Sequence, residues 1–297
     1  MNQSTEESRR ALNLVGLRSR LVTPAGPIAR VDWLPQTGST NADLAASVRQ
    51  DPAAWPDLSV LTAEVQTAGK GRLERQWLAP EGSALAISVL LRPEKLPVEA
   101  FGWLSMLSAV AICQTLHAVD VKAGIKWPND VLVWGADGTA KKICGILAQL
   151  VSVPGSGPAV VLGTGLNVSQ AEAELPTDTS SSVLAAGGSS IDRNALLEDY
   201  LGRFAELYTR FTLAGGAVRS AGAGIPPLRQ EVSELLLTVG QHVRAELPGG
   251  VYLYGQASGI DAHGALLLTD SSGTTSTVSA ADVVHLRRAD GQGIGYA

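Results

Sequence analysis

The sequence predicts an α+β protein of two domains, and three observations support this fold class. Apolar runs of strand length, such as Leu58–Val65 and Ala84–Leu91, alternate with helical patterns over most of the chain. The turn residues Ala136–Thr139 join two further apolar runs as a hairpin, which makes the two strands antiparallel. From Thr238 onward, apolar residues recur at every second position in short runs, which is typical of a small barrel.

The chain begins with the polar residues 1–22, which are predicted to form either a loose tail or a short helix over Arg9–Arg20. The apolar residues of Ile28–Leu34 predict the first strand. A helix is predicted over Asn41–Arg49, because Ser39 or Thr40 can cap its first turn.

Helical periodicity is strongest in Glu99–Val119 and from Asp192 to Phe211, with Asp192 as the N-cap of the second helix. A short helix, Leu228–Leu236, precedes the period-two region. The other predicted strands are Gly124–Trp127, Asp130–Trp134, Ile143–Val153 and Ala159–Val168, followed in the barrel by Gln241–Leu247, Val251–Ile260, Ala265–Thr269, Thr274–Val278 and Val283–Leu286. The chain is thus predicted to consist of a tail (1–22), a large α+β domain (23–236) and a C-terminal barrel (237–290).

Composition and charge limit the possible functions. The chain has 297 residues, of which 45% are hydrophobic and 17% charged, as in a globular protein long enough for two domains. A net charge of −5 gives no overall basic surface for nucleic acid. We found no apolar run near the ~18 residues of a membrane span and no signal-peptide core. We therefore expect a cytoplasmic protein with no nucleic-acid or membrane partner, in which Cys113 and Cys144 are buried thiols.

A basic loop that contains glycines follows the strand Leu58–Val65. It consists of Gly69–Arg72 (GKGR), with Arg75 and Trp77 close behind. Glycines let the backbone approach a ligand, cations attract phosphate, and an indole stacks on an aromatic ring or a cation. The spacing is neither a Walker A loop nor a GxGxxG fingerprint. Taken alone, the loop is either a nucleotide or acyl-phosphate site or a solvated turn.

Four further motifs favour the first interpretation, because together with the loop they resemble a known family. They are Gly38–Asn41 (GSTN), Ile125–Asp130 (IKWPND), Lys141–Leu147 (KKICGIL) and Gly163–Asn167 (GTGLN). In this order they resemble the catalytic domain of biotin protein ligases, whose signatures are an STN turn, GRGRxGRxW, KWPND, KxxGIL and GxGxN. The C-terminal region resembles the SH3-like end domain of the same family. The resemblance implies a class II synthetase-like fold, a mixed, largely antiparallel sheet with helices on one side.

The resemblance implies an enzyme that activates biotin with ATP and Mg²⁺ to biotinyl-AMP and then transfers biotin to a lysine of a biotin carboxyl carrier protein. A carboxylate and a phosphate ~4 Å apart repel each other by about 4 kcal/mol at an effective dielectric of ~20, so such a site needs cations. The implied catalytic residues are Lys142, Arg72 and Asp130, with Asp130 also the candidate for the metal. The implied biotin-binding residues are Ser39, Thr40, Asn41, Gln66, Gly69, Lys70, Gly71, Arg72 and Lys142. The implied ATP- or adenylate-binding residues are Lys70, Arg72, Arg75, Trp77, Lys126, Asn129 and Asn167.

Several alternatives stay open at this stage. Lys70 and Glu74 stand where the family loop usually has arginine and glycine, which leaves the contacts of the loop undecided. Lys126 either contacts phosphate or supports the site as an ion-pair partner. The alternative activity is that of a lipoate or octanoate ligase or transferase of the same fold, and a third reading is a module that senses biotinyl-adenylate. The sequence does not decide between a monomer and a homodimer.

Overall fold

The computed structural model describes residues 9–135, 138–153, 157–218, 227–280 and 282–288. Its α-helices are α1 (Leu14–Leu21), α2 (Thr40–Gln50), α3 (Gly102–His117), α4 (Arg193–Leu213) and α5 (Leu228–Leu235). Its strands are β1 (Arg30–Thr37), β2 (Ser59–Gln66), β3 (Ala84–Leu91), β4 (Ala123–Lys126), β5 (Asp130–Trp134), β6 (Ala140–Val151), β7 (Ala159–Asn167), β8 (His242–Leu247), β9 (Val251–Ile260), β10 (Leu266–Thr269), β11 (Thr275–Val278) and β12 (His285–Arg288). Residues 1–8 of the predicted tail and 136–137 of the predicted hairpin turn lie outside the described residues.

The large sheet is mixed and largely antiparallel, as predicted. Its strand order is β1-β2-β3-β7-β6-β5-β4. Among its described strands, β1 and β2 are parallel, and the other neighbours are antiparallel. The predicted pairing of β5 with β6 is confirmed, and it places Asp130 opposite Gly145. Gly145 in turn lies opposite Gly165 of β7, so three of the sequence motifs meet in the middle of the sheet.

Helices cover both faces of this sheet. The helices α3 and α4 pack on one face, where Leu85, Ile87 and Val89 of β3 are buried against them. The shorter helix α2 packs on the opposite face against Leu61 and Leu90. The prediction of helices on one side therefore describes the two long helices and misses the placement of α2.

The helix α3 is apolar on every side because it is buried on every side. The segment Val98–His117 is long and apolar enough to meet the length and composition of a membrane span, contrary to our expectation from the sequence. However, most of this segment is buried inside the protein. Trp103 on this helix donates through Nε1 to the backbone oxygen of Ala262 at 2.8 Å. These contacts are those of the central helix of a folded core.

The N-terminal residues 9–22, which were predicted as a loose tail or a short helix, contain a helix and pack on the same core. The helix α1 begins after Asn13, whose side chain accepts the N–H of Gly16. Leu12, Leu17 and Leu21 are buried in the main hydrophobic cluster. These leucines are spaced among polar residues, which is why the polar composition of the segment conceals its buried face.

The C-terminal region forms a five-stranded antiparallel sheet with the order β11-β10-β9-β8-β12. The five predicted strands are present, with bounds within two residues of those predicted. The side chain of Trp127 links the two domains, because its Nε1 donates to the backbone oxygen of Gly264 at 3.0 Å. This contact fixes the barrel beside the end of β4, close to the motif residues.

Candidate active site

A cavity of about 330 Å³ lies over the middle of the large sheet. It is bounded by the loop 69–77, by the segment 176–180 and by residues 283–287 of the barrel. The predicted site residues that line it are Ser39, Thr40, Asn41, Gln66, Lys70, Gly71, Arg72, Arg75, Trp77, Lys126, Asn129, Asp130 and Lys142. Residues far apart in the sequence therefore meet around one space.

Two glycines form the floor of the cavity beneath Trp77. A Cβ atom added to Gly165 would come within 2.6 Å of the indole, and one added to Gly145 within 3.2 Å. These two residues are paired across β6 and β7. The ring can lie against the sheet because neither strand has a side chain there.

Lys142 reaches into the cavity from β6. Its Nζ lies 2.7 Å from Asp130 Oδ1 and 5.6 Å from the centroid of the Trp77 ring. The side chains of Lys142 and Asp130 are 34% and 20% exposed, although the Oδ1 atom of Asp130 is itself buried. An anion that enters the cavity can exchange with Asp130 as the partner of this ammonium group.

The loop 69–77 is folded as a small hairpin. Trp77 N–H donates to the oxygen of Gly69 at 2.8 Å, and Gly71 N–H donates to that of Arg75 at 2.6 Å. Leu73 at the tip has φ = +55°, a left-handed conformation that costs a residue with a Cβ about 1–2 kcal/mol. Its side chain is 56% exposed, so burial does not offset this cost.

Arg72 ties the loop to the C-terminal barrel. Its Nη2 donates to the oxygens of Ala280 and Val283 at 2.7 and 2.6 Å, while Nη1 reaches Asn129 Oδ1 at 3.4 Å. Burial lowers the pKa of Arg72, and the charge of Asp130 opposes that shift. The guanidinium thus bridges the loop, the large sheet and the barrel at the edge of the cavity.

The pKa of Lys126 is lowered strongly within the cavity. Burial lowers its pKa to about 8, with the nearby charge of Lys142 acting in the same direction and that of Asp130 opposing it. Removing a charged amine from water disfavours its protonated form. A bound anion would restore that form, so the environment of Lys126 favours a negatively charged ligand.

The opposite end of the cavity is polar and uncharged. The Gln66 side chain accepts from the N–H and hydroxyl of Thr40 at 2.9 and 3.0 Å, and it thereby caps α2. The N-cap residue Ser39 makes no capping bond with its own side chain. Asn41 donates to the oxygen of Leu147 at 3.1 Å and lies over Gly163. This end offers neutral hydrogen-bonding groups and a wall without side chains.

Two of the predicted site residues do not line the cavity. Gly69 lies where a Cβ would collide with the oxygen of Trp77, so it is needed to close the loop hairpin. The side chain of Asn167 lies behind the cavity wall, where Nδ2 donates to the oxygen of Ser181 at 2.9 Å and Oδ1 accepts from Gln170 at 2.9 Å. Its interactions hold the wall. The side chain of Glu74 lies outside the described part of the structure.

The sequence analysis missed three contributions to the site. Ser88 on β3 is buried and lies 2.8 Å from the hydroxyl of Thr40 and 2.6 Å from Asn41 Oδ1. A serine within the apolar run Ala84–Leu91 was a usable signal, because a buried hydroxyl needs a partner. The wall segment 176–180 and the barrel residue Arg287 also line the cavity, and no local pattern marks them.

The chain matches the model of the biotin/lipoate A/B protein ligase family over residues 33–167 and that of the biotin protein ligase C-terminal domain over residues 238–286. A biotin–[acetyl-CoA-carboxylase] ligase from Mycobacterium tuberculosis is 40% identical over 275 residues, which cover 91% of this chain and 94% of the relative. The bifunctional ligase/repressor BirA of Bacillus spizizenii is 32% identical over 76% of this chain and 66% of the relative. The structure of a biotin protein ligase from Aquifex aeolicus in complex with biotin and ATP has a TM-score of 0.68 at 23% identity, covering 88% of this chain and 100% of the other, which shows a shared fold.

Proposed function

Because the chain belongs to the biotin/lipoate A/B protein ligase family, we propose that it is a biotin protein ligase that uses ATP. In the first step, a biotin carboxylate oxygen attacks the α-phosphorus of ATP. The bond from that phosphorus to the bridging oxygen breaks, which releases pyrophosphate and leaves biotinyl-AMP. In the second step, a lysine amine of an acceptor protein attacks the acyl carbon, AMP leaves and the amine loses a proton.

The observation that carries this proposal is the convergence of cations from separate elements on one cavity. Lys142 comes from β6, Lys126 from the end of β4 and Arg72 from the loop 69–77. They offset the repulsion between a carboxylate and a phosphate, about 4 kcal/mol at ~4 Å and an effective dielectric of ~20. Catalysis by positioning and charge stabilisation then needs no covalent intermediate on the enzyme.

The two ends of the cavity suit the two substrates. The neutral groups of Thr40, Asn41 and Gln66 match the uncharged ureido ring of biotin. Trp77, Lys126 and Asn129 lie on the charged side, where we place the adenine and phosphates. Lys142 stands between them, in a position to contact the carboxylate and the α-phosphate together.

The residues present also suit Mg²⁺. This ion usually keeps several waters and is held by one or two carboxylates together with substrate phosphates. Asp130 supplies a carboxylate on the cavity wall, and it lies next to the cations that would hold the phosphates. Asp130 is therefore our candidate for holding Mg²⁺, which would neutralise phosphate charge.

Two findings favour biotin over lipoate or octanoate as the acid. The relative that is 40% identical is named a biotin–[acetyl-CoA-carboxylase] ligase. Residues 238–286 match the C-terminal domain model of biotin protein ligases. By extension from that relative, we propose a biotin carboxyl carrier domain of a carboxylase as the acceptor and the cytoplasm as the location, with no nucleic-acid partner because the net charge is −5.

The test is ATP–pyrophosphate exchange in the presence of Mg²⁺ with biotin, lipoate or octanoate as the acid. We expect exchange with biotin, followed by label transfer to a carrier domain. Exchange with lipoate alone would assign the alternative activity, and exchange with none of the acids would favour a sensor of biotinyl-adenylate. Sedimentation of the same preparation would distinguish a homodimer from a monomer.

A further inference from the structure

The N-terminal segment Arg9–Asn13, here called the strap, lies across one end of the large sheet. Arg9 forms two parallel bonds with Glu174, from Nη1 to Oε1 at 3.0 Å and from Nη2 to Oε2 at 2.6 Å. Its Nη2 also donates to the oxygen of Ser169 at 2.9 Å. One arginine thus binds both ends of the segment Ser169–Glu174, which follows β7.

A buried ion pair anchors the rest of the strap. Arg193 at the start of α4 and Glu64 on β2 are 1% and 6% exposed, and their Nη1 and Oε2 atoms lie 2.7 Å apart. Glu64 Oε1 accepts the N–H of Leu12 at 2.7 Å, and Arg193 Nη2 donates to the oxygen of Arg10 at 2.6 Å. The backbone of the strap therefore completes the hydrogen bonding of two buried charges, which keeps its position fixed.

The segment that Arg9 holds leads directly into the cavity wall. Lys142 N–H donates to the oxygen of Thr179 at 2.7 Å, and Ser181 N–H donates to the oxygen of Lys142 at 2.7 Å. The wall residues Pro176, Thr177, Thr179 and Ser180 line the cavity. A continuous series of contacts therefore runs from Arg9 through Glu174 and the wall to the backbone of Lys142.

We infer that Arg9 is a positioning residue for the nucleotide side of the active site, although it does not line the cavity. It holds the segment Ser169–Glu174, which leads into the wall segment 176–180. The wall segment pairs with β6 at Lys142, the residue that we place between the two substrates. This inference rests on the proposed function. Loss of Arg9 should loosen the wall, weaken ATP binding and leave the neutral biotin end unchanged.

The contact is partly buried, so it should contribute to folding without dominating it. The side chains of Arg9 and Glu174 are 15% and 31% exposed, and their two parallel bonds make the pair stronger than an ordinary surface ion pair. The expected effect is therefore a rise in KM rather than unfolding. We expect the KM for ATP to rise about 3- to 10-fold, which lies within the range of about 2- to 30-fold for couplings transmitted through packed contacts.

The experiment compares Arg9→Ala with Arg20→Ala in the full chain. Arg20 is a matched control, because its Nε lies 2.6 Å from Glu198 Oε2 in an ion pair of α1 with α4. Arg9→Ala should raise the KM for ATP in biotin-dependent pyrophosphate exchange more than the KM for biotin, because the wall adjoins Lys142 and not the neutral groups that hold the ureido ring. Arg20→Ala should leave both unchanged. Equal kinetics for the two variants, or an equal rise for both substrates, would overturn the inference.

A second variant tests the same contact from the other side. Glu174→Ala removes the partner of Arg9 without altering the strap, together with the acceptor of the Ala171 N–H at 2.9 Å, and it should raise the KM for ATP at least as much as Arg9→Ala. If it does not, the inference is wrong even when Arg9→Ala fails to fold. Hydrogen exchange in residues 169–182 provides a readout independent of catalysis, and faster exchange is expected in both variants. If the parent protein shows no ATP–pyrophosphate exchange but both variants show the faster hydrogen exchange, the proposed function is refuted and the strap contact is still supported.

Discussion

Gly165 lies directly beneath the indole of Trp77, and a Cβ added to this glycine would come within 2.6 Å of the ring. The ring is held from above by the hairpin of the loop 69–77, in which Trp77 N–H bonds to Gly69. The hairpin therefore fixes the backbone from which the ring extends, and the sheet floor limits where the ring can lie. Because Gly165 has no side chain, the indole of Trp77 can lie on the sheet, and this contact connects the sheet to the loop 69–77.

Gly165→Ala should accordingly impair nucleotide binding more than folding. Overpacking of this kind costs about 1–3 kcal/mol, and relief by displacement of Trp77 would disturb the charged side of the cavity. We expect the KM for ATP in pyrophosphate exchange to rise about tenfold or more. Gly202→Ala is the control, because a Cβ on this glycine of α4 meets nothing within 4 Å. An unchanged KM in Gly165→Ala would contradict the coupling.

Lys142→Ala should reduce the rate of biotin adenylation about 10²- to 10³-fold, since a preorganised charge at the reacting centre contributes on this scale. Lys141→Ala serves as the control, because Lys141 does not line the cavity. Single-turnover formation of biotinyl-AMP measures the effect, and thermal unfolding shows whether the unpaired Asp130 alters stability. A rate like that of the parent protein would remove Lys142 from the mechanism and, with it, most of the assigned site.

Local patterns were sufficient to predict the strands of the large sheet and one of their pairings. The strand Ala84–Leu91 has the predicted bounds, because a continuous apolar run ends at Arg92-Pro93. The hairpin between β5 and β6 followed from turn chemistry. Lys142, which the resemblance implies as a catalytic residue, lines the cavity, and its neighbour Lys141 does not.

Contacts between distant parts of the chain could not be predicted in this way. Arg72 and Val283 are 211 residues apart, and the bond between them depends on how the barrel packs on the catalytic domain. The strap was hidden for a similar reason, because the partners of Arg9 lie about 160 residues further along. Asn167 belongs to a motif at the site, yet its amide is used by neighbours behind the wall. A motif therefore locates a site, while tertiary packing decides which of its side chains face the ligand.

Replacing Leu73 with asparagine should stabilise the hairpin form of the loop. Asparagine adopts the left-handed conformation more readily than leucine, so about 1 kcal/mol of backbone strain should be relieved. Since 1 kcal/mol corresponds to about a fivefold change in an equilibrium, trypsin should cleave at Arg72 and Arg75 about fivefold more slowly. Leu78→Asn is the control, because Leu78 is also exposed and is not among the residues with positive φ. Equal cleavage rates in the two variants would show that the strain at Leu73 does not limit loop opening.

The lowered pKa of Lys126 predicts that ATP binding weakens as the pH rises from 7 to 9. Near pH 8 this side chain loses its proton in the free enzyme, and the cavity loses one of its cations.

The stability of the fold should change in the opposite direction, because it should rise with pH. Between the folded-state pKa of about 8 and the unfolded-state pKa near 10.5, the unfolded chain binds more protons, so the contribution of Lys126 to the unfolding free energy rises with pH.

Lys126→Arg separates these effects from the titration of ATP and of other residues. Arginine stays charged throughout this range, so the variant should show a flatter dependence of ATP KM on pH than the parent protein. Its unfolding free energy should lack the rise between pH 8 and pH 10. Both quantities are compared at each pH, so effects common to the two proteins cancel. Parallel KM profiles for parent and variant would mean that Lys126 is an ion-pair support, and the phosphate contact would then fall to the other cations of the cavity.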